Sequence, residues 1–280
     1  MTNTRLFVCS VALPLFLAAC SGSKPRIDRK ELDRVNALGL ALYAYDQAAW
    51  HGTDAVYPYL QSPSGNVDPR VAGYIVERDA DEWIVMFGRV ASDNASYEVA
   101  SEARLDSSYD VISADSFEVA ERRTGFALDA GIALAQVKSR FVAPEKVAYN
   151  SIVLPISDRT LYVYMLPAQP DDLVYYVGAD FKWEFDRRKG EIVGEYRLHN
   201  ALLTFDLSEQ PDAVTASSAV LSDIPTETDV FYAASRPNAD SKATHYVTTS
   251  DWVFLLDANG VVARITTEAF RRIGEHQGQK

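Results

Sequence analysis

Cysteine is nearly missing from this chain. Only two of the 280 residues are cysteines, Cys9 and Cys20, and both stand within the first 20 positions. The rest of the sequence therefore offers no thiol for a disulfide, a cysteine metal site or a nucleophile. We expect its fold to be stabilised by a hydrophobic core without covalent cross-links.

Local catalytic signatures are missing as well. The sequence contains no His-Glu-X-X-His, no Gly-X-Ser-X-Gly, no phosphate-binding glycine loop and no Cys-X-X-Cys. Four histidines are available as general bases, and no local spacing singles one out: His51, His199, His245 and His276. We therefore predict no catalytic residue and no cofactor and lean against an enzyme, although a triad assembled in space leaves no such signature.

Basic residues are too few to attract polyanions. The chain has 27 lysines and arginines against 39 acidic residues, a formal net charge of −12. Such a surface repels nucleic acid and anionic headgroups, so we predict no nucleic-acid partner.

The N-terminus carries the most specific pattern that is present. Arg5 precedes an apolar run, Leu6–Leu17, which is shorter than the roughly 18–20 residues of a membrane span. The run ends in Leu17-Ala18-Ala19-Cys20, which resembles a bacterial lipobox. An ordinary secretory leader cut elsewhere, or a buried hydrophobic N-terminus, is the alternative.

The lipoprotein resemblance implies a location in the cell. It implies a signal peptide at 1–19, cleavage before Cys20, and acylation of the Cys20 thiol and amine, including a palmitate-type chain. Ser21, in place of aspartate, implies the outer membrane, with the protein facing the periplasm or the surface. The mature chain has 261 residues (280 − 19) and, without Arg5, a net charge of −13 (26 − 39). The bilayer is the predicted partner through Cys20, and an envelope protein is a second possible partner.

The remaining chain is predicted to be α+β, with antiparallel sheets. Residues 20–27 form a lipidated tether, of which the six residues 21–26 reach at most about 20 Å. Helical spacing predicts long helices at about 28–50 and 116–141 and a short helix near 226–234, with strands and hairpins between them. We divide the chain into an N-terminal helix and hairpin region at 28–113, an α+β domain at 114–267 and a polar tail at 268–280.

One further resemblance lies in the C-terminal part. Arg197-Leu198-His199-Asn200 on a strand, followed by Pro225-Thr226-Glu227-Thr228-Asp229 at a helix start, is similar to a degenerate JAB/MPN-type metallo-isopeptidase motif. That resemblance implies a zinc ion held by His199 and Asp229, and His245 could replace the missing ligand. Arg197 stands where the family has its first histidine, and an N-cap at Thr226 with an acid at Asp229 explains the same residues structurally. We predict no metal site and keep these three residues as weak candidates.

Three functions remain open. The first is a non-catalytic binding or scaffold lipoprotein of the cell envelope. The second is a zinc-dependent peptidase or isopeptidase on a JAB-like scaffold. The third is an inhibitor or immunity-type lipoprotein that blocks a basic enzyme through an acidic surface patch.

Overall fold

The computed structural model describes residues 27–60, 68–210, 212–236 and 244–277. The leader, the lipobox at Leu17–Cys20 and the tether up to residue 26 lie outside these residues, so the anchor stays a prediction. Within the described part, no helix is both long enough and apolar enough to cross a membrane.

Helices and strands are segregated along the described chain. The helices are α1 (Arg29–Leu60), α2 (Phe126–Arg140), α3 (Glu227–Ala234) and α4 (Thr267–Gln277). The strands are β1 (Gly73–Asp79), β2 (Glu82–Val90), β3 (Tyr97–Leu105), β4 (Val111–Arg123), β5 (Tyr149–Pro155), β6 (Thr160–Pro167), β7 (Val174–Gly178), β8 (Phe181–Asp186), β9 (Glu191–Arg197), β10 (Leu202–Asp206), β11 (Thr215–Ser218), β12 (His245–Thr248), β13 (Trp252–Asp257) and β14 (Gly260–Thr266).

These strands form four sheets, ordered β1-β2-β3-β4, β5-β6-β8-β9, β10-β7 and β11-β12-β13-β14. Every described pair is antiparallel except β11 with β12. The class is therefore α+β with predominantly antiparallel sheets, as the sequence predicts.

The sheets β1-β2-β3-β4 and β5-β6-β8-β9 are covered by helices on opposite faces. On β2, Val85 packs in a core cluster with α1, while its neighbour Ile84 packs in a second cluster with α2. On β6, Tyr164 and Val163 are divided between the same two clusters. Because successive side chains of a strand point to opposite faces, two buried faces require the continuous apolar runs seen in these strands.

The predicted division at 113/114 falls inside β4. The core cluster under α1 combines Leu42 with Tyr164, which lie on either side of that division. The two parts share one core in this region.

The first long helix extends well beyond its predicted end. The sequence suggests that it stops at His51-Gly52, but α1 continues to Leu60. A Cβ atom on Gly52 would lie 2.5 Å from a methyl group of Val85. This glycine therefore allows α1 to lie close to β2 and does not terminate the helix.

The second long helix is shorter than predicted. Residues 116–123 belong to β4, which pairs with β3, so the prediction of helix 116–141 is wrong for its first part. The helix begins at Phe126, after Gly125, whose φ of 66° favours glycine. Strand pairing overrides the helix-forming residues of 118–121, as tertiary context commonly does.

The short helix and the C-terminal tail lie close to their predicted positions. Helix α3 covers 227–234 after an N-cap at Thr226, and α4 occupies most of the polar tail. Helices α1 and α3 touch at Gly39, where a Cβ atom would lie 2.4 Å from Cβ of Val230. This close approach places the start of α3 beside the first turns of α1.

Candidate functional site

The three weak metal candidates are brought together in the interior. His199 follows β9, Asp229 lies in the first turn of α3, and His245 begins β12. Their relative exposures are 8%, 0% and 0%. His199 and Asp229 lie close together, as the JAB-type resemblance implies. Their polar atoms contact each other and other buried groups of this chain.

His199 lies between two carboxylates. Its Nδ1 atom is 2.9 Å from Oδ1 of Asp180, and its Nε2 atom is 3.3 Å from Oδ2 of Asp229. Among the described residues Nε2 has no hydrogen-bond acceptor in line, so the contact with Asp229 is an ion pair. Burial alone would lower the pKa of His199, but the charges of Asp229 and Asp180 outweigh it and raise this pKa to about 11. At neutral pH His199 therefore carries a proton on each ring nitrogen.

Asp229 also belongs to the capping box at the start of α3. Its Oδ2 atom accepts hydrogen bonds from the backbone N–H of Thr226 at 2.8 Å and from the Thr226 hydroxyl at 3.0 Å. In return, the Asp229 N–H donates to the Thr226 hydroxyl oxygen. Burial would raise the pKa of Asp229, but the charge of His199 outweighs it and lowers the pKa to about 2. One carboxylate therefore accepts hydrogen bonds from the N-cap residue of α3 and also pairs with the buried imidazolium.

His245 is held by two hydroxyl groups. Its Nδ1 lies 2.8 Å from Oγ1 of Thr215, and its Nε2 lies 2.9 Å from Oγ of Ser217. The Ser217 hydroxyl donates its proton to Oδ1 of Asp229 at 3.2 Å. Burial lowers the pKa of His245 to about 4, so this ring is neutral at pH 7.

One assignment of protons gives both ring nitrogens of His245 a partner. Since the Ser217 proton goes to Asp229, Ser217 accepts from Nε2–H of His245, and Nδ1 of His245 accepts from the Thr215 hydroxyl. Thr215 in turn lies 3.1 Å from the hydroxyl of Tyr232, which accepts from Arg236. We call the set Asp180, His199, Asp229, Ser217, His245 and Thr215 the buried histidine network.

The buried histidine network does not fit a zinc ion. Zinc binds a lone pair on a neutral imidazole, and catalytic sites normally provide three protein ligands. His199 is protonated between two carboxylates, and both ring nitrogens of His245 already have hydroxyl partners. Within the described chain, no group of three His, Cys, Asp or Glu side chains is arranged to hold a metal ion.

A surface cleft lies against the same chain segments. It has a volume of about 270 Å³ and is lined by the first turns of α1, by β8 and the end of β9, and by residues 221–227. We call it the basic cleft after its cationic side chains, Arg34, Lys182 and Arg197.

Lys182 is neutralised at the floor of the basic cleft. Its Nζ lies 2.7 Å from Oε1 of Glu227 and over the rings of Tyr162 and Tyr196, at 5.1 Å and 5.4 Å from their centroids. Glu227 also accepts a hydrogen bond from the Tyr164 hydroxyl at 3.0 Å. Burial and the Glu227 carboxylate raise the pKa of Tyr164 well above its usual range, so it stays a donor.

The two arginines of the basic cleft have uncharged partners. Arg34 donates to the Tyr162 hydroxyl at 2.7 Å. Arg197 donates to the backbone carbonyls of His199 and Asn200 at 3.2 Å and 2.6 Å. Among the described residues, neither guanidinium forms an ion pair with a carboxylate. The guanidinium of Arg197 also lies over the Phe181 ring, 5.5 Å from its centroid, on the face of β8 and β9 opposite to Lys182 and Tyr196.

Much of this arrangement gives no local sequence signal. Asp180 and Ser217 stand in no motif and reach His199 and Asp229 only through folding. Arg197 attracts notice in the sequence only as a departure from the metal motif. The capping pattern from Thr226 to Asp229 is the one part that the sequence reveals directly.

Comparison with protein-family models, with curated proteins and with solved structures finds no match to this chain.

Proposed function

We propose that this protein is a non-catalytic binding module of the bacterial cell envelope, attached to the outer membrane through acylated Cys20. One observation supports the non-catalytic part. The residues that most resemble a catalytic set, His199, Asp229 and His245, are buried and bonded to one another or to neighbouring hydroxyls. A group that holds the fold together in this way is not available to a substrate.

The surface supports the binding part of the proposal. Beside the buried histidine network, Arg34 and Arg197 present charges that no described carboxylate neutralises. A cleft that combines apolar lining with a few charged groups is where ligand recognition is expected. The membrane attachment rests on the lipobox resemblance alone.

Two measurements test this proposal, one in cells and one on the purified full chain. Labelling of cells with radioactive palmitate is expected to mark the wild-type protein and not Cys20→Ser. Elemental analysis is expected to find no equimolar zinc in either protein. An unlabelled wild-type chain contradicts the anchor. Equimolar zinc that disappears in a folded His199→Gln variant supports the peptidase alternative instead.

A further inference from the structure

Two large apolar residues stand side by side on the surface, in the loop between β11 and α3. Val220 and Leu221 are 78% and 52% exposed. The residues that flank this part of the loop are buried, since Ala219 and Ile224 belong to one core cluster. The two exposed side chains are therefore held at the surface by neighbours that the core fixes in place.

The same loop lies beside the point where the described chain begins. Ile27 packs against the core cluster that contains Ala219 and Ile224. Ile27 and Ile224 also line one cavity, with a volume of about 170 Å³. Since successive Cα atoms are about 3.8 Å apart, Val220 and Leu221 lie within a few residues' reach of this contact. The exposed apolar pair and the point at which the predicted tether joins the fold thus share one region of the surface.

The predicted tether keeps this region close to the bilayer. Six residues, 21–26, separate Cys20 from Ile27, and they reach at most about 20 Å. A patch beside Ile27 is therefore able to touch the membrane to which an acylated Cys20 is attached. Moving large aliphatic side chains from water into the boundary between headgroups and acyl chains is favourable.

The charges around the apolar pair are mixed. Arg29 and Lys30, in the first turn of α1, are exposed. Four carboxylates line the cavity beside the loop: Asp28, Glu31, Asp223 and Asp251. Because both signs are present, a contact with the membrane depends on burying apolar surface and does not need an anionic lipid.

We propose that Val220 and Leu221 insert into the interface of the bilayer that holds Cys20, as a second, non-covalent contact with zwitterionic lipid. This inference rests on the proposed function, because it needs the acyl anchor. Two side chains alone bind weakly, but a short tether holds them at a high effective concentration beside the bilayer. Leu221 also lines the basic cleft. The contact therefore orients the fold with the mouth of the basic cleft beside the membrane surface.

The scarcity of cysteine gives this proposal a clean reporter. In the processed protein Cys9 leaves with the leader and the Cys20 thiol is acylated, so Leu221→Cys carries the one free thiol. A nitrobenzoxadiazole label on that thiol is followed in phosphatidylcholine liposomes, with and without nitroxide-labelled phosphatidylcholine. We expect a blue shift of the emission on reconstitution and loss of most of the emission with nitroxide lipid, because interfacial apolar groups lie about 5–10 Å into the boundary.

The matched control is Tyr59→Cys, which carries the same label near the other end of α1. Tyr59 is 48% exposed, close to the 52% of Leu221. It lies 30 helical positions (59 − 29) after Arg29, which corresponds to about 45 Å. We expect no blue shift and little quenching at this position.

Two results with these labels overturn the proposal. Equal quenching at positions 221 and 59 means that the fold touches the bilayer without a preferred surface. A blue shift at position 221 without quenching by nitroxide lipid means that a second copy of the chain, and not lipid, covers the apolar pair.

A charge placed beside the reporter tests the apolar contact itself. Val220→Asp in the Leu221→Cys protein is expected to remove most of the quenching, because a carboxylate is costly to move out of water. Val142→Asp, at a valine that is 84% exposed elsewhere in the chain, should leave the quenching unchanged. An unchanged thermal midpoint in both variants shows that the fold is intact. Undiminished quenching in folded Val220→Asp contradicts the contact.

Palmitate labelling separates this inference from the proposed function. An acylated chain whose label at position 221 is neither shifted nor quenched refutes the membrane contact and leaves the proposed function standing. A chain without acylation contradicts the anchor, and the membrane contact is refuted with it.

Discussion

The buried histidine network and the basic cleft share three chain segments but differ in how charge is balanced. Each segment gives one residue to the interior and one, two positions away, to the cleft: Asp180 and Lys182, His199 and Arg197, Asp229 and Glu227. In the interior, the imidazolium is balanced by carboxylates within 3.3 Å. In the cleft, two guanidinium groups meet only neutral acceptors among the described residues. The difference separates a buried framework with balanced charges from a surface for which we propose binding.

The largest expected effect comes from removing the central carboxylate. Asp229→Ala leaves His199 paired with Asp180 alone and removes the carboxylate half of the capping box of α3, which accepts from the Thr226 N–H and hydroxyl. Breaking a buried ion pair costs about 3–5 kcal/mol. We expect a loss of this size in the free energy of unfolding, measured by urea denaturation at pH 7.

Asp223→Ala is the matched control for that experiment. Asp223 is exposed and lies six positions before Asp229 in the same segment. Its removal is expected to change the unfolding free energy by no more than about 0.5 kcal/mol. Similar effects of both substitutions would show that the buried network does not stabilise the fold.

A pH series separates the two histidines. The pKa of His199 is raised from 6.5 to about 11, so its contribution is present below pH 6.5 and is lost as pH rises toward 11. The pKa of His245 is lowered from 6.5 to about 4, so its contribution is present above pH 6.5 and is lost as pH falls toward 4. Each slope is at most about 1.4 kcal/mol per pH unit.

Two variants show which histidine causes each of these two pH slopes. Urea denaturation from pH 4 to 9 is expected to show a flatter alkaline limb in His199→Gln and a flatter acid limb in His245→Gln, each relative to wild type. Unchanged limbs in both variants would mean that neither histidine is held in the protonation state described above.

A smaller loss is expected at the floor of the basic cleft. Lys182→Met leaves Glu227 buried with only the Tyr164 hydroxyl as a described partner. Because the Lys182 side chain is 16% exposed, water relieves part of the penalty. We expect a loss of about 1–2 kcal/mol in unfolding free energy, less than for a fully buried pair. Lys189→Met, with an exposed side chain, is the control, and an equal effect of the two would contradict this prediction.

The smallest effect on stability is expected at Arg34. Its guanidinium is exposed and has one described hydrogen bond, to Tyr162. Arg34→Gln should change the unfolding free energy by less than about 0.5 kcal/mol in thermal or urea denaturation. A loss as large as that of Lys182→Met would place Arg34 in the framework instead of the binding surface.

Local signals in the sequence predict the parts of this fold that local chemistry determines. The cap from Thr226 to Asp229 is such a case, because the residues that form it are three positions apart. The extent of α1 and α2 was less predictable. Gly52 resembles a helix end but provides room for Val85, and residues 116–123 are helix formers that pair with β3 instead.

The candidate site was predictable only in part for the same reason. His199 and Asp229 attract attention through a spacing pattern, and they do lie together. A second carboxylate that holds His199 in its charged form is Asp180, which lies in the turn between β7 and β8 and stands in no motif. Arg34 meets Tyr162 across 128 positions, a distance over which no sequence pattern extends.

That long separation in sequence also affects how the cleft forms during folding. Its walls are contributed by the first helix, by two strands in the middle of the chain and by the segment before α3. We expect contacts between such distant positions to form late in folding. Closing a long loop loses chain entropy before the contacts compensate for that loss. During synthesis α1 is made first, and the cleft stays incomplete until the segment before α3 has been added. A chain shortened before residue 221 therefore lacks one wall of the cleft, even where the strands that supply the other walls are complete.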